Sequence, residues 1–130
     1  MLDSVLTFLL LASPAGINTP CQGVDRSLPI ARKQGLAPII AKQVKLEKVA
    51  VIKSFRFKDW YIIHIGTYVS DDMFLFYHGD PVNHMYVTDW GGAAGIDETD
   101  EIKAWVIENA KGIPDSLAAC FAWHVTKDRE

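Results

Sequence analysis

Lys53-Ser54-Phe55-Arg56-Phe57-Lys58-Asp59-Trp60-Tyr61-Ile62-Ile63-His64-Ile65 is the stretch on which the fold turns. On both sides of Lys58-Asp59 the chain is rich in aromatic and β-branched residues, which fit the pleated surface of a sheet. A polar pair between two such runs predicts a two-residue hairpin turn, although this one lacks the glycine that such turns favour. The first run covers residues 44–57 and the second residues 60–69. The turn then sets Phe57 beside Trp60 and Arg56 beside Tyr61.

Working outward, Ser70-Asp71-Asp72 predicts a second turn before a strand over 73–78, and Gly79-Asp80-Pro81-Val82-Asn83 a third before a strand over 84–90. Connections this short force antiparallel neighbours, so the four strands form a meander. Alternation along each strand puts Phe74, Phe76, His78, His84, Tyr86 and Thr88 on one face, and Met73, Leu75, Tyr77, Met85 and Val87 on the other. With Ser70-Asp71 as a two-residue turn, His78 falls next to Ile63. One end of one face then gathers Arg56, Tyr61, His78, His84 and Asp80. A one-residue slip scatters this group, because the side-chain period is two.

The flanks are helical. Ser27-Leu28-Pro29 opens a helical stretch with Ser27 as its cap. Gly35 and Pro38 predict two short pieces up to Gln43 rather than one straight helix. Residues 16–26 are dominated by turn-formers and read as an irregular lead-in. Beyond Gly91, Ile102, Trp105, Val106 and Asn109-Ala110 follow the spacing of one packed helical face. Asp97, Thr99, Asp100 and Glu101 supply capping groups and negative charge at its start. Lys111-Gly112 stops that helix and Pro114 opens the last one, whose inner face carries Leu117, Cys120, Phe121, His124 and Val125. The expected architecture is a single α+β domain over residues 27–130: a four-stranded antiparallel meander with an N-terminal helical segment and two C-terminal helices.

Residues 5–12 are apolar except for Thr7 and lead into Ser13-Pro14-Ala15-Gly16, the pattern of a secretory signal peptide over residues 1–15 cut before Gly16. Met1-Leu2-Asp3-Ser4 lacks the Lys or Arg with which such leaders begin, and the alternative is a short helix capped by Asp3. Export places the chain in the periplasm or outside the cell. There Cys21 and Cys120 pair as a disulfide, whereas in a reducing compartment both are thiols.

The 130 residues hold 13 basic and 16 acidic side chains, for a net charge of −3. That balance argues against a general nucleic-acid binder, which needs a basic footprint. No apolar run reaches the ~20 residues of a membrane-spanning helix. Charge is nevertheless segregated: residues 42–58 carry net +5 and residues 97–108 net −4. The plain explanation of the basic run is an edge strand whose lysines discourage pairing. The functional one is a docking surface for an acidic partner.

No motif specifies a reaction. His78, Asp80 and His84 offer metal-ligand chemistry at a spacing that matches no specific site, so no metal or cofactor is expected. His64 reads as a half-buried strand histidine, and His124 as a residue favoured at a helix C-terminus. Gly91-Gly92-Ala93-Ala94-Gly95 lacks the endings of phosphate-binding loops. Lys53 to Trp60 shares aromatic alternation with the ribonucleoprotein motif of RNA-recognition domains, but Ser54 and Arg56 stand at its small positions and a turn interrupts it. The expectation is a small exported, non-catalytic binding protein of inhibitor or immunity type, engaging a macromolecular or anionic partner. Its binding residues are Lys53, Arg56, Trp60, Tyr61, His78, His84 and Tyr86. The alternatives are a small-molecule or metal-binding module built on His78, His84 and Asp80, and a structural domain with no ligand.

Overall fold

The computed structural model describes residues 18–128, so the leader read over residues 1–15 lies outside the described residues. The chain runs α1 (Ile30–Gln43), β1 (Ala50–Phe57), β2 (Trp60–Gly66), β3 (Met73–His78), β4 (Thr88–Gly91), α2 (Thr99–Asn109) and α3 (Asp115–Thr126). The strands form one antiparallel sheet in the order β1-β2-β3-β4. The architecture is therefore α+β, as the sequence pattern implies. Helix α1 covers one face of the sheet and the α2–α3 hairpin the other. Covering both faces explains why Ile62 and Ile63, pointing opposite ways, are both fully buried.

The two cores differ in chemistry. Beneath α1, Leu36, Ile40 and Ala41 pack on Val51, Ile63, Ile65, Leu75 and Tyr77. Beneath α2 and α3, Ile102, Val106, Leu117 and Phe121 pack on Phe55, Trp60, Ile62, Phe74 and Phe76. Phe121 sits edge-on to Phe74, Phe76 and Trp90 at centroid distances of 5.1, 5.0 and 5.6 Å. Cys21 and Cys120 are disulfide-bonded inside this second core.

The hairpin over Lys58-Asp59 has the expected register, with Phe57 opposite Trp60 and Arg56 opposite Tyr61. Lys58 supplies the left-handed conformation (φ 57°) that a glycine would normally take. β1 is an edge strand, with a register irregularity between Val51 and Lys53 and one added bridge from Asp25 to Arg56. A bulge and lysines on a free edge both oppose pairing with another chain.

Several boundaries depart from the sequence reading. The N-terminal helix is one piece rather than two. Pro38 and Gln34 both lie on its exposed side, so the backbone carbonyl that the proline leaves unpaired faces water. Pro29, not Ser27, stands at its N-cap, and the Ser27 hydroxyl donates to Asp25 instead. The first strand starts at Ala50 rather than Val44 because α1 closes in a tight C-terminal turn. Leu46 N–H bonds Ala41 O, Lys45 N–H bonds Lys42 O, and Lys45 is left-handed at φ 61°.

Strand β2 ends at Gly66 rather than Val69, since Thr67 and Ser70 tie a longer loop through the Thr67 hydroxyl. That loop shifts the β2–β3 register by three residues: Ile63 faces Leu75, and His78 faces Trp60. The fourth strand begins at Thr88, not His84, because Gln43 Nε2 donates to the carbonyls of Pro81 and His84 and straps the loop to α1. No side chain caps α2; Glu98 occupies the cap position while its carboxylate accepts from Gly95 N–H. Asp100 and Glu101 do lie in the first turn, where they complement the helix dipole. His124 is a core residue, only 6% exposed, packed on Phe55 with ring centroids 5.0 Å apart.

Candidate functional site

A cavity of about 240 Å³ opens where the start of α1, the β1–β2 hairpin and the loop after β3 meet. Arg32, Arg56, Asp25, Asp80, Tyr61 and Ser54 line it. Helix periodicity puts Arg32 there, since it lies four and eight residues before the buried Leu36 and Ile40. Strand pairing brings Arg56 and Tyr61 side by side, and the guanidinium lies 5.3 Å from the centre of the tyrosine ring.

The four charges are not equivalent. Arg32 forms an ion pair with Asp80 at 3.1 Å. Burial works against the charge of Asp80, but the Val82 N–H together with Arg32 and Arg56 outweighs it and holds the carboxyl below its ordinary value. Asp25 is lowered chiefly by the backbone N–H and hydroxyl of Ser27, with Arg56 adding to the effect. Arg56 itself is exposed, and its Nε donates to Lys58 O at 3.1 Å. Among the described residues no carboxylate closes on Arg56 to ion-pair distance.

The residues singled out in the sequence divide among several places. Arg56, Tyr61 and Asp80 meet at this cavity. His78 does not join them, because an odd register shift turns a side chain to the other face. It stacks on Trp60 at 4.6 Å and bonds Asp59 at 2.9 Å on the α3 side of the sheet. His84 sits within its own loop, with Nδ1 donating to Asp80 O, while Tyr86 packs edge-on to Tyr77 beneath α1. Lys53 pairs with His64, one residue out of phase with Ser54 and Arg56, so the basic strand presents its charges to two different faces. No group of three or more His, Cys, Asp or Glu among the described residues is arranged to hold a metal ion.

Arg32 and Asp25 were not apparent as site residues in the sequence. The spacing of Arg32 ahead of Leu36 and Ile40 carried a usable signal, whereas the Asp25–Arg56 bridge is non-local and carried none. Compared with protein-family models, curated proteins and solved structures, the chain matches none of them. The chemistry must therefore be read from the geometry alone.

Proposed function

We propose that the chain is a small exported, non-catalytic binding protein of inhibitor or immunity type, and that the Arg56 cavity receives a carboxylate from a protein partner. One observation carries this reading. Arg56 is held on the Tyr61 ring and by Lys58 O, yet has no ion-pair partner among the described residues. A guanidinium so pre-organised is suited to bidentate capture of a carboxylate, because little further ordering is needed on binding. Arg32, already committed to Asp80, offsets that carboxylate and stiffens the cavity wall, leaving Arg56 as the cation open to a partner.

Export is supported by the leader pattern and by the buried Cys21–Cys120 disulfide, a bond that persists in oxidising compartments. Among the described residues no helix is long and apolar enough to cross a membrane.

Titration of the wild-type chain with a short glutamate-rich peptide at low salt tests the reading. Saturable shifts of the Arg56 Nε–H and Tyr61 ring signals are expected, with affinity falling about tenfold or more in Arg56→Ala and further in Arg56→Glu. Equal affinity in all three proteins refutes the assignment. The mass of the secreted protein, before and after reduction, checks the cut before Gly16 and the disulfide together.

A further inference from the structure

On the opposite side of the sheet, a groove of about 330 Å³ runs between β2, β3, β4 and the end of α3. His64, Asp72, Phe74, Trp90, His124 and Asp128 line it, and the proposed carboxylate site uses none of them. Each histidine is locked by a carboxylate: His64 Nε2 lies 3.1 Å from Asp72, and His124 Nδ1 lies 3.1 Å from Asp128. The ring nitrogen that faces the carboxylate carries the proton, so the other nitrogen of each neutral ring is an acceptor. For His64 that nitrogen, Nδ1, is fully buried and has no hydrogen-bond partner.

The aromatic part is equally specific. His64 stacks on Phe74 at 4.3 Å, and Trp90, opposite Phe74 in the sheet, is partly exposed beside it. The groove thus combines two carboxylates with π faces, and the imidazole protons that face those carboxylates are already used internally. The exposed Asp72 carboxylate beside the Trp90 ring is complementary to a positively charged hydrogen-bond donor. The chain shows the same chemistry at one end, where the Arg26 guanidinium sits 3.4 Å from Asp128. Asp72 is the more available carboxylate, with its side chain 54% exposed and one oxygen held by His64.

We infer that this groove is a second binding site, for an organic cation of the guanidinium or primary ammonium class, seated between Asp72 and the Trp90 ring. Binding is coupled to pH. His64 faces Asp72 and Lys53, while His124 faces Asp128, Lys53 and Arg26. Burial holds both imidazoles below the ordinary histidine value in spite of their carboxylates. Protonating them adds positive charge directly beside Asp72 and Asp128, to that of Lys53 and Arg26, and so repels a bound cation.

Two probes separate the sources of such a cation: agmatine, and a short blocked peptide with a single arginine. Imidazole signals of His64 and His124 and the indole signal of Trp90 are followed by NMR on the full chain. Saturable shifts at pH 7.5 are expected, at least tenfold weaker in Asp72→Asn, whose exposed site leaves the fold intact. Affinity in the wild type falls again as the pH drops below the ordinary histidine range. Tighter binding of the peptide assigns the groove to a basic polypeptide segment, and equal binding to a free cation. No saturable shift with either probe, an Asp72→Asn protein that binds as well as the wild type, or binding insensitive to pH overturns the inference.

Discussion

The two faces of the sheet meet the same requirement, covering an antiparallel meander, by different means. Under α1 the core is mainly aliphatic, and the helix buries only Leu36, Ile40 and Ala41 completely. Gln43 compensates by accepting from the Tyr77 hydroxyl at 2.6 Å and donating to the loop after β3. Under α2 and α3 the core is aromatic, carries His124 and Thr126 among its buried residues, and is cross-linked by Cys21–Cys120. One side relies on directional hydrogen bonds around a single side chain; the other relies on packing and a covalent tie. The difference also separates the sites, with arginines and aspartates gathered near α1 and imidazole–carboxylate pairs near α3.

Breaking the covalent tie is the most severe test of that contrast. The bond closes a loop with a sequence separation of 99 residues. Cys21→Ala with Cys120→Ala is expected to lower the unfolding free energy by about 4–5 kcal/mol on the chain-entropy account. Urea denaturation measures it, and a loss under ~1 kcal/mol would remove the disulfide from its place in the comparison. Next in size is Gln43→Ala, which leaves the Tyr77 hydroxyl and two loop carbonyls without their partner. A loss of about 2 kcal/mol is expected. Hydrogen exchange should rise first in the loop after β3, whereas uniform loosening of the whole sheet would count against a local strap.

Acid sharpens the contrast from the α3 side. His64 and His124 are held below the ordinary histidine value, chiefly by burial. Their contribution to stability is complete above pH ~6.5, the unfolded value, and is lost as the pH falls through their folded values. Asp25, Asp80 and Asp128 are also lowered, so they withdraw stability only in a second window below pH ~4. His64→Gln and His124→Gln are expected to flatten the first window; the second stays in His64→Gln and loses only the Asp128 share in His124→Gln, whose imidazole holds that carboxyl down, as thermal melts across pH 2–8 will register. The smallest effect is a gain on the α1 side. Lys45 is left-handed at the end of α1, where glycine is relieved of the Cβ conflict, and Lys45→Gly is expected to stabilise by roughly 0.5–1 kcal/mol.

Local chemistry made part of this molecule readable before its coordinates. The Lys58-Asp59 turn and the pairing of Arg56 with Tyr61 followed from two β-rich runs with a polar break between them. The inner faces of β3 and α3 followed from periodicity. Register across β2–β3 did not, because Thr67, Tyr68 and Val69 read as strand ahead of a short Ser70-Asp71-Asp72 turn, although Thr67 and Ser70 close residues 67–70 into a loop. Nor did the continuity of α1, since Pro38 breaks a helix only where the freed carbonyl lacks water. The same register error misplaced His78 and hid the groove in which His64 and His124 converge. Arg56 and Tyr61, one turn apart, were legible; Arg32 and Asp25, brought in by tertiary contacts, were not.

The Cys21–Cys120 bond also has a mechanical consequence. A load applied to the chain outside the two cysteines passes through the sulfur bridge, so the whole sheet, α1 and α2 lie off the line of force. Only the flanking residues and the later turns of α3 can be drawn out while the bridge is intact. Once it is reduced, the enclosed segment adds on the order of 350 Å of contour length. Under such a load the oxidised form keeps the Arg56 cavity, which lies wholly between the two cysteines, out of tension, whereas the groove beside His124 and Asp128 includes the segment that is pulled.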